Sequence, residues 1–181
     1  MLILASASPR RHELLKAAGI PHSVRASSIR EERRRGENPI ALVQRLATEK
    51  AHASSCAPED VVLGADTEVC IDDIVFGKPT DALDAERMLR LLSGRNHWVH
   101  TGICIVAGGR EIVDVASTKV SFLALTEGEI KEYTRSGEPL GKAGGYAIQG
   151  LASKFIRSIE GCYHNVVGLP VSLVYQRLKS L

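Results

Sequence analysis

Aromatic residues are scarce in this chain, at 4% with a single tryptophan. That argues against the stacking surfaces on which single-stranded nucleic acids are laid out. Charge of one sign is also lacking. The formal net charge is +2, too small to point to a nucleic-acid partner by itself. Long apolar runs are missing, and nothing approaches the roughly 20 residues of a membrane span. The apolar start, Met1-Leu2-Ile3-Leu4-Ala5, has no basic segment and is too short for a signal peptide. The cysteines Cys56, Cys70, Cys104 and Cys162 form no CxxC pair, which argues against a zinc site or a redox couple. Scattered in this way, they read as small core residues in a reducing compartment. Together these absences predict a cytoplasmic protein. No internal repeat, low-complexity tract, GxxxxGK[ST] loop or Ser-His-Asp order is found.

What remains is an ordinary globular composition over 181 residues, 44% hydrophobic and 24% charged. A chain of this size buries about two thirds of its unfolded surface, enough for a core without disulfide or metal staples. One domain spanning residues 1–181 is expected. Apolar runs and amphipathic stretches alternate, which predicts an α/β fold. Leu2 to Ala5 reads as a buried strand, followed by a helix from Ser8-Pro9 to Ala18 that Gly19 ends. Pro39 to Ser54 is a second helix, Val61 to Ala65 a buried strand, and Val69 to Phe76 a hairpin turning at Asp72-Asp73. Ala82 to Leu92 is a helix. Val99 to Val106 and Ile112 to Leu123 form an antiparallel pair joined at Gly108-Gly109. Glu127 to Arg135 is a helix, Lys154 to Ile159 a strand, and Pro170 to Leu178 the last helix.

Chemistry concentrates in a few places. In Ser6-Ala7-Ser8-Pro9-Arg10-Arg11, Ser8 is a good N-cap and Pro9 suits the first helical position. Arg10 and Arg11 then stand in a first turn that is already positive. Either an anion sits there, on free N–H groups, two hydroxyls and two guanidinium groups, or this is a capped helix with exposed arginines. Lys50 falls on the apolar face formed by Ile40, Val43, Leu46, Ala47 and Ala51. It either extends past the core edge or reaches a phosphate beside the sheet. Asp66 follows Val61-Val62-Leu63-Gly64-Ala65, which puts a carboxylate at the carboxyl end of a buried strand, where α/β proteins place ligands. Gly64 lets another group approach the backbone closely. A carboxylate there can hold Mg²⁺ or take a proton from water, or simply cap the next turn.

Weaker signals are Lys78 on the rigid turn Gly77-Lys78-Pro79 and Arg95 after a helix end. His97 and His100, three positions apart in a strand, lie on opposite faces and do not resemble a metal pair. The segment Lys142 to Gly150 is glycine-rich, and its Gln149 carries a donor and an acceptor that can read a base edge. It is equally well a tight surface loop. The irregular stretch Ser27 to Asn38, with Arg33-Arg34-Arg35, reads as an exposed, solvated loop. Cations and a few carboxylates on loops after strands form a constellation for polyphosphate with a divalent metal.

In order and spacing, these segments resemble the Maf family of nucleotide pyrophosphatases. The resemblance rests on LASASPRR (Leu4 to Arg11), LATEKA (Leu46 to Ala51), GADT (Gly64 to Thr67), GKP (Gly77 to Pro79) and LSGRNHWVHTG (Leu92 to Gly102). It continues with SGEP (Ser136 to Pro139), KAGGYAIQG (Lys142 to Gly150) and NVVGLP (Asn165 to Pro170). It covers nearly the whole chain. It implies a mixed, twisted sheet flanked by helices, related to the inosine triphosphate pyrophosphatases, with two lobes, a central cleft and a homodimer. It also implies hydrolysis between the α- and β-phosphates with Mg²⁺, Mn²⁺ or Co²⁺.

Carried over residue by residue, the catalytic aspartate falls on Asp66 and the phosphate-binding cations on Arg11, Lys50 and Lys78. The acidic loop residue falls on Glu31, which would share the metal with Asp66, and specificity positions fall on Arg10, Thr67 and Gln149. Ser8 belongs to the same phosphate-facing segment. The form KAGGYAIQG resembles the branch acting on dTTP and UTP; the 7-methyl-GTP branch lacks it. The sequence departs from the family at Arg30, where Asp is frequent before Glu31, at Gly141, where Asp is frequent, and at Glu68, where an apolar residue is usual. Two other classes stay open: a nucleotide-sensing regulator of cell division and septum formation, which would not need the carboxylates, and weak nucleic-acid binding through Arg33-Arg34-Arg35.

Overall fold

A computed structural model describes residues 1–55, 57, 59–72 and 74–181. Cys56 and Asp73, the second residue of the expected hairpin turn, lie outside the described residues. The chain divides into two compact units. The first comprises Met1–Thr67, His100–Ala116 and Gly168–Leu181; the second comprises Glu68–Val99 and Ser117–Val167.

Among the described residues a seven-stranded sheet is built from β1 (Leu2–Leu4), β2 (His22–Val24), β3 (Val61–Ile71), β4 (Ile74–Phe76), β5 (Asn96–Ala107), β6 (Arg110–Phe122) and β7 (Ile156–Glu160). The order is β2-β1-β3-β5-β6-β7, with β4 paired to β3. The sheet is mixed, as expected. β1 runs parallel to both β2 and β3, with Leu2 opposite His22 and Val61. β4 is antiparallel to β3, and β7 to β6. The two-residue connection Gly108-Gly109 has positive φ at both glycines, the backbone that a tight hairpin needs.

In the first unit, α1 (Pro9–Ala17) buries Arg11, Leu14 and Leu15, a spacing that keeps one face inward. The longer α2 (Pro39–Ser54) starts at Asn38, whose side chain accepts from Ala41 N–H at 2.8 Å. It buries Leu42, Val43, Leu46, Ala47, Lys50, Ala51 and Ser54. Ile40, assigned to that face from the wheel, is exposed, and Leu42 lies inward instead. Ile3, Ala5, Ala47, Ala51, Val62 and Cys104 form a small-residue core beneath α2. The chain closes with α6 (Val171–Leu178).

The second unit packs α3 (Ala82–Leu92), α4 (Glu127–Arg135) and the short α5 (Tyr163–Val167). Its core includes Val69, Phe76, Met88, Leu89, Phe122, Tyr133, Tyr146 and Phe155. Asp81 caps α3, and a reciprocal Thr126–Glu129 box caps α4.

Three expectations change. β3 does not stop at Ala65 but continues to Ile71, because Thr67 and Val69 are good strand residues and the ladder to β4 follows directly. Asp66 is therefore in mid-strand. The parallel pairing with β1 reaches only Leu63, though, so Asp66 lies just past the end of that pair. The strand expected from Lys154 begins at Ile156, after a 3₁₀ turn over Leu151–Phe155. The three-residue β2 and α5 were not foreseen, being too short for a periodic signal.

His97 and His100 are both buried. His97 Nε2 is 2.7 Å from the Tyr146 hydroxyl, while its Nδ1 has no hydrogen-bond partner. Burial pushes the imidazole down from its ordinary 6.5 to about 3. The unfolded chain thus binds a proton that the folded one refuses. The stability contribution is complete above pH 6.5 and is lost as pH falls from there toward 3. The midpoint of thermal unfolding is expected to drop across that window, and to drop less in His97→Gln. Equal pH profiles for the two proteins would remove His97 from the explanation.

Candidate functional site

The first unit gathers most of the expected residues, and the reason lies in how closely α2 rests on the sheet. A Cβ at Gly64 on β3 would overlap the Ala47 carbonyl and Ala51 N. A Cβ at Gly102 on the neighbouring β5 would overlap the Val43 carbonyl. Two glycines on adjacent strands thus let the helix backbone sit directly on the sheet. The close approach inferred for Gly64 is that of α2 itself.

From this position Lys50 does not extend to solvent; it is 6% exposed. Its Nζ lies 2.5 Å from Asp66 Oδ1 and 2.7 Å from Glu31 Oε1. One ammonium thus joins both carboxylates singled out in the sequence. Of its three N–H bonds, the third is left for another acceptor. Asp66 is 4% exposed, and its Oδ2 is buried without a hydrogen-bond partner. An orphaned carboxylate oxygen beside an ammonium is costly unless something else uses it.

Arg11 is as buried as Lys50 and far more committed. Its Nε donates to Gly168 O at 2.8 Å and its Nη1 to Ser6 Oγ at 3.0 Å and Ala65 O at 2.9 Å. Its Nη2 donates to Thr67 Oγ1 at 2.9 Å. Burial pulls its pKa down, and the Asp66 and then Glu31 charges oppose that. A guanidinium has five N–H bonds, so only one stays uncommitted. In this structure Arg11 mainly ties α1 to β3 and to Gly168.

Thr67 is engaged in the same region. Its hydroxyl accepts from Arg11, lies 2.9 Å from Thr101 Oγ1, and lies 3.2 Å from Gly168 O. Ser8 does begin α1, but its side chain makes no capping bond. No acidic residue stands in the first turn. Arg10 is partly buried, has no hydrogen bond, and is lowered in pKa by burial. Ser8, Arg10 and the first-turn N–H groups therefore remain available to an anion.

Lys78 and Gln149 belong to the second unit, and both are exposed. Lys78 lies between β4 and α3. Gln149 follows a turn in which Gly144 and Gly145 are buried with positive φ, so the glycine-rich stretch is not a plain surface loop.

A brace beside Glu31 had no local signal in the sequence. Arg45 on α2 donates to both Glu37 oxygens at 2.6 and 2.7 Å, to Glu49 at 3.1 Å, and to the Glu32 carbonyl at 2.9 Å. The Arg45 hydrogen bonds hold the Glu37 carboxyl down to about 2. Arg33 and Arg34 are engaged with Glu37 as well, and Arg34 with Glu49. Arg33 and Arg34 are thus paired within the loop and with α2, while all three arginines stay exposed.

For a metal, no group of three or more His, Cys, Asp or Glu side chains converges among the described residues. Asp66 and Glu31 make two carboxylates, and the orphaned Asp66 Oδ2 is a fitting oxygen for a hard cation. Mg²⁺ characteristically takes one or two carboxylates and completes its shell with water and substrate phosphates. The donor set fits such an ion carried in with a polyphosphate.

With this geometry in place, comparison with known proteins is informative. The sequence model of the family described as Maf-like protein matches residues 1–181. The chain is 50% identical over 181 residues to the dTTP/UTP pyrophosphatase of Geobacter sp. (strain M21), covering 98% of this chain and 94% of that protein. It is 46% identical over 179 residues to the dTTP/UTP pyrophosphatase of Koribacter versatilis (strain Ellin345), covering 98% and 93%. Among solved structures it resembles the Staphylococcus aureus Ham1 protein, with a TM-score of 0.57 at 11% identity over 99% of this chain and 98% of that one. That likeness is one of fold.

The helix-on-sheet contact makes a direct prediction. Gly64→Ala forces α2 away from β3 and is expected to cost about 1–3 kcal/mol, read as a lower urea midpoint. An unchanged midpoint would mean that the contact is not tight.

Proposed function

The chain belongs to the Maf family, and we propose that it is a nucleoside triphosphate pyrophosphatase acting on dTTP and UTP. The products are the nucleoside monophosphate and pyrophosphate. The observation that carries this reading is the buried Lys50 ammonium bridging Asp66 and Glu31, with Asp66 Oδ2 left over. A protein that only sensed a nucleotide would gain nothing from burying a carboxylate with one oxygen unsatisfied. The names carried by relatives at 46 and 50% identity support the choice of dTTP and UTP.

In the proposed reaction the triphosphate rests against Ser8, Arg10 and the first-turn N–H groups of α1, where the helix end is already positive. Lys50 gives its remaining N–H to a phosphate oxygen, and the family resemblance adds Lys78 as a further phosphate-binding cation. Arg11 contributes its one uncommitted N–H but mainly fixes Ser6, Ala65 and Thr67 in place. Asp66 and Glu31 would hold the divalent cation, Mg²⁺, Mn²⁺ or Co²⁺, which supplies charge neutralisation on the phosphates when bound. Asp66 orients a water molecule and takes its proton as the water oxygen bonds to the α-phosphorus. The bond from that phosphorus to the bridging oxygen breaks, and pyrophosphate leaves with its charge met by the lysines. Gln149 reads the base edge through its amide.

The family resemblance also supports a cytoplasmic homodimer, for which light scattering on the purified protein is the test. Among the described residues, no helix is long and apolar enough to cross a membrane.

The reading is tested by pyrophosphate release from a panel of canonical and modified nucleoside triphosphates with each metal. Turnover of dTTP and UTP is expected, with the monophosphate as co-product. Turnover confined to 7-methyl-GTP or a purine analogue would keep the reaction and overturn the base assignment. A folded protein inert toward all of them would favour the regulatory reading. Asp66→Asn keeps the shape and removes the base, so turnover should fall by about 10²–10⁴; full activity would exclude that role.

A further inference from the structure

Gln149 is exposed and makes no hydrogen bond, yet the backbone carrying it is held on both sides. On one side, Ala147 N–H donates to the Tyr133 hydroxyl at 3.3 Å. That hydroxyl donates to Glu138 Oε1 at 3.0 Å. On the other side, Glu138 Oε2 accepts from Leu151 N–H at 3.0 Å. Gly150 N–H closes the turn on the Ala147 carbonyl at 3.1 Å. One carboxylate thus ties the chain two residues before Gln149 to the chain two residues after it.

The parts of this brace are themselves fixed. Tyr133 is 2% exposed and meets Phe155 edge-on at 5.5 Å between ring centroids. Just upstream, the Tyr146 hydroxyl is anchored at 2.7 Å from His97 Nε2. A Cβ at position 150 would overlap the Glu138 carboxylate and push it aside. Tyr133 sits on α4 and Glu138 in the SGEP segment that follows it. Neither has a role in the reaction proposed above, and a surface turn of four residues needs no such anchoring for stability alone. What the anchoring achieves is a fixed stretch of backbone from which the one amide side chain at the tip extends.

We propose that Tyr133 and Glu138 are positioning residues for base selection, holding the Ala147–Leu151 turn so that Gln149 presents its amide in one orientation. The inference rests on the reading of Gln149 as the group that recognises the base. A loosely held amide still binds but discriminates poorly, because it can turn its donor or its acceptor to either kind of base edge. A fixed amide leaves the wrong base with unpaired groups, and that loss is what selects.

The test is kcat/KM for dTTP, UTP, dCTP and dGTP in Tyr133→Phe, Glu138→Ala, Glu138→Gln, Gly150→Ala and Gln149→Ala, with folding checked by thermal melts. Tyr133→Phe removes a single oxygen and keeps the ring packed, so it decides alone if Glu138→Ala fails to fold. Tyr133→Phe, Glu138→Ala and Gly150→Ala are expected to lower the preference for dTTP over dCTP and dGTP by about 3- to 10-fold, the size of one or two lost hydrogen bonds. The change should come mainly through KM. Glu138→Gln should restore most of the preference, because its carbonyl still accepts from Leu151 and the Tyr133 hydroxyl can reverse its role. Unchanged preference in Tyr133→Phe and folded Glu138→Ala, with Gln149→Ala altering it, would overturn the brace and leave the Gln149 reading standing. Unchanged preference in all the variants, Gln149→Ala included, would overturn both.

Discussion

The buried pair between Lys50 and Asp66 is the constraint on which the rest of the first unit depends. Taking two charges out of water costs several kcal/mol per ion, and their attraction repays this only with good geometry. Such a pair is poor evidence of a need for stability, since apolar residues would serve as well. It is strong evidence of a need for those charges at that place. The geometry is met because α2 lies directly on β3 and β5, over Gly64 and Gly102. A larger residue at either position would lift Lys50 from its partners. The small residues Ala47, Ala51 and Ala5 in the core beneath the helix serve the same closeness.

The second carboxylate reaches the pair by a different route. Glu31 lies on an irregular loop with no strand or helix to fix it, and its side chain is 44% exposed. The loop is fixed instead by Arg45, whose flat guanidinium meets Glu37 with two parallel bonds and also takes the Glu32 carbonyl. Side-chain exposures of 16% and 10% for Arg45 and Glu37 mean that water screens this pair less than an ordinary surface ion pair. Arg45 and Lys50 sit on the same helix. One helix therefore carries both the ammonium that joins the carboxylates and the arginine that delivers one of them.

Much of this was legible in the sequence, and the parts that were not share a cause. The helices over Pro39–Ser54, Ala82–Leu92 and Glu127–Arg135 follow from caps and apolar spacing, which are local. Lys50 stood out because a lysine on an apolar face needs a partner, and Asp66 because it interrupts an apolar run. Their pairing could not be read, since it joins residues 16 apart through a helix-to-sheet contact. The Arg45 and Tyr133–Glu138 braces were missed for the same reason: each charge or hydroxyl, seen alone, looks like an ordinary surface group. The end of β3 was misplaced because a polar residue in mid-strand looks like a strand end. The three-residue β2 was missed because three residues carry no period.

Arg11 and Thr67 are both committed to contacts within the first unit. Four of the five Arg11 N–H bonds go to Gly168, Ser6, Ala65 and Thr67. Two of those acceptors are the backbone carbonyls of Ala65 and Gly168, in separate segments of the first unit. An arginine so placed cannot move to follow a substrate. What it can do is fix the stretch of β3 around Asp66, because it grips Ala65 and Thr67, the residues before and after it. Among the described residues, the groups of the first unit without a partner are different in kind: the Ser8 hydroxyl, the Arg10 guanidinium and the third Lys50 N–H. A site that must stabilise charge as a bond breaks works best when its reacting carboxylate is already in place before substrate arrives. In the proposed reaction the committed residues would provide that rigidity and the uncommitted ones recognition. An identical residue type, arginine, serves both ends at adjacent positions, distinguished only by which side of α1 each one faces.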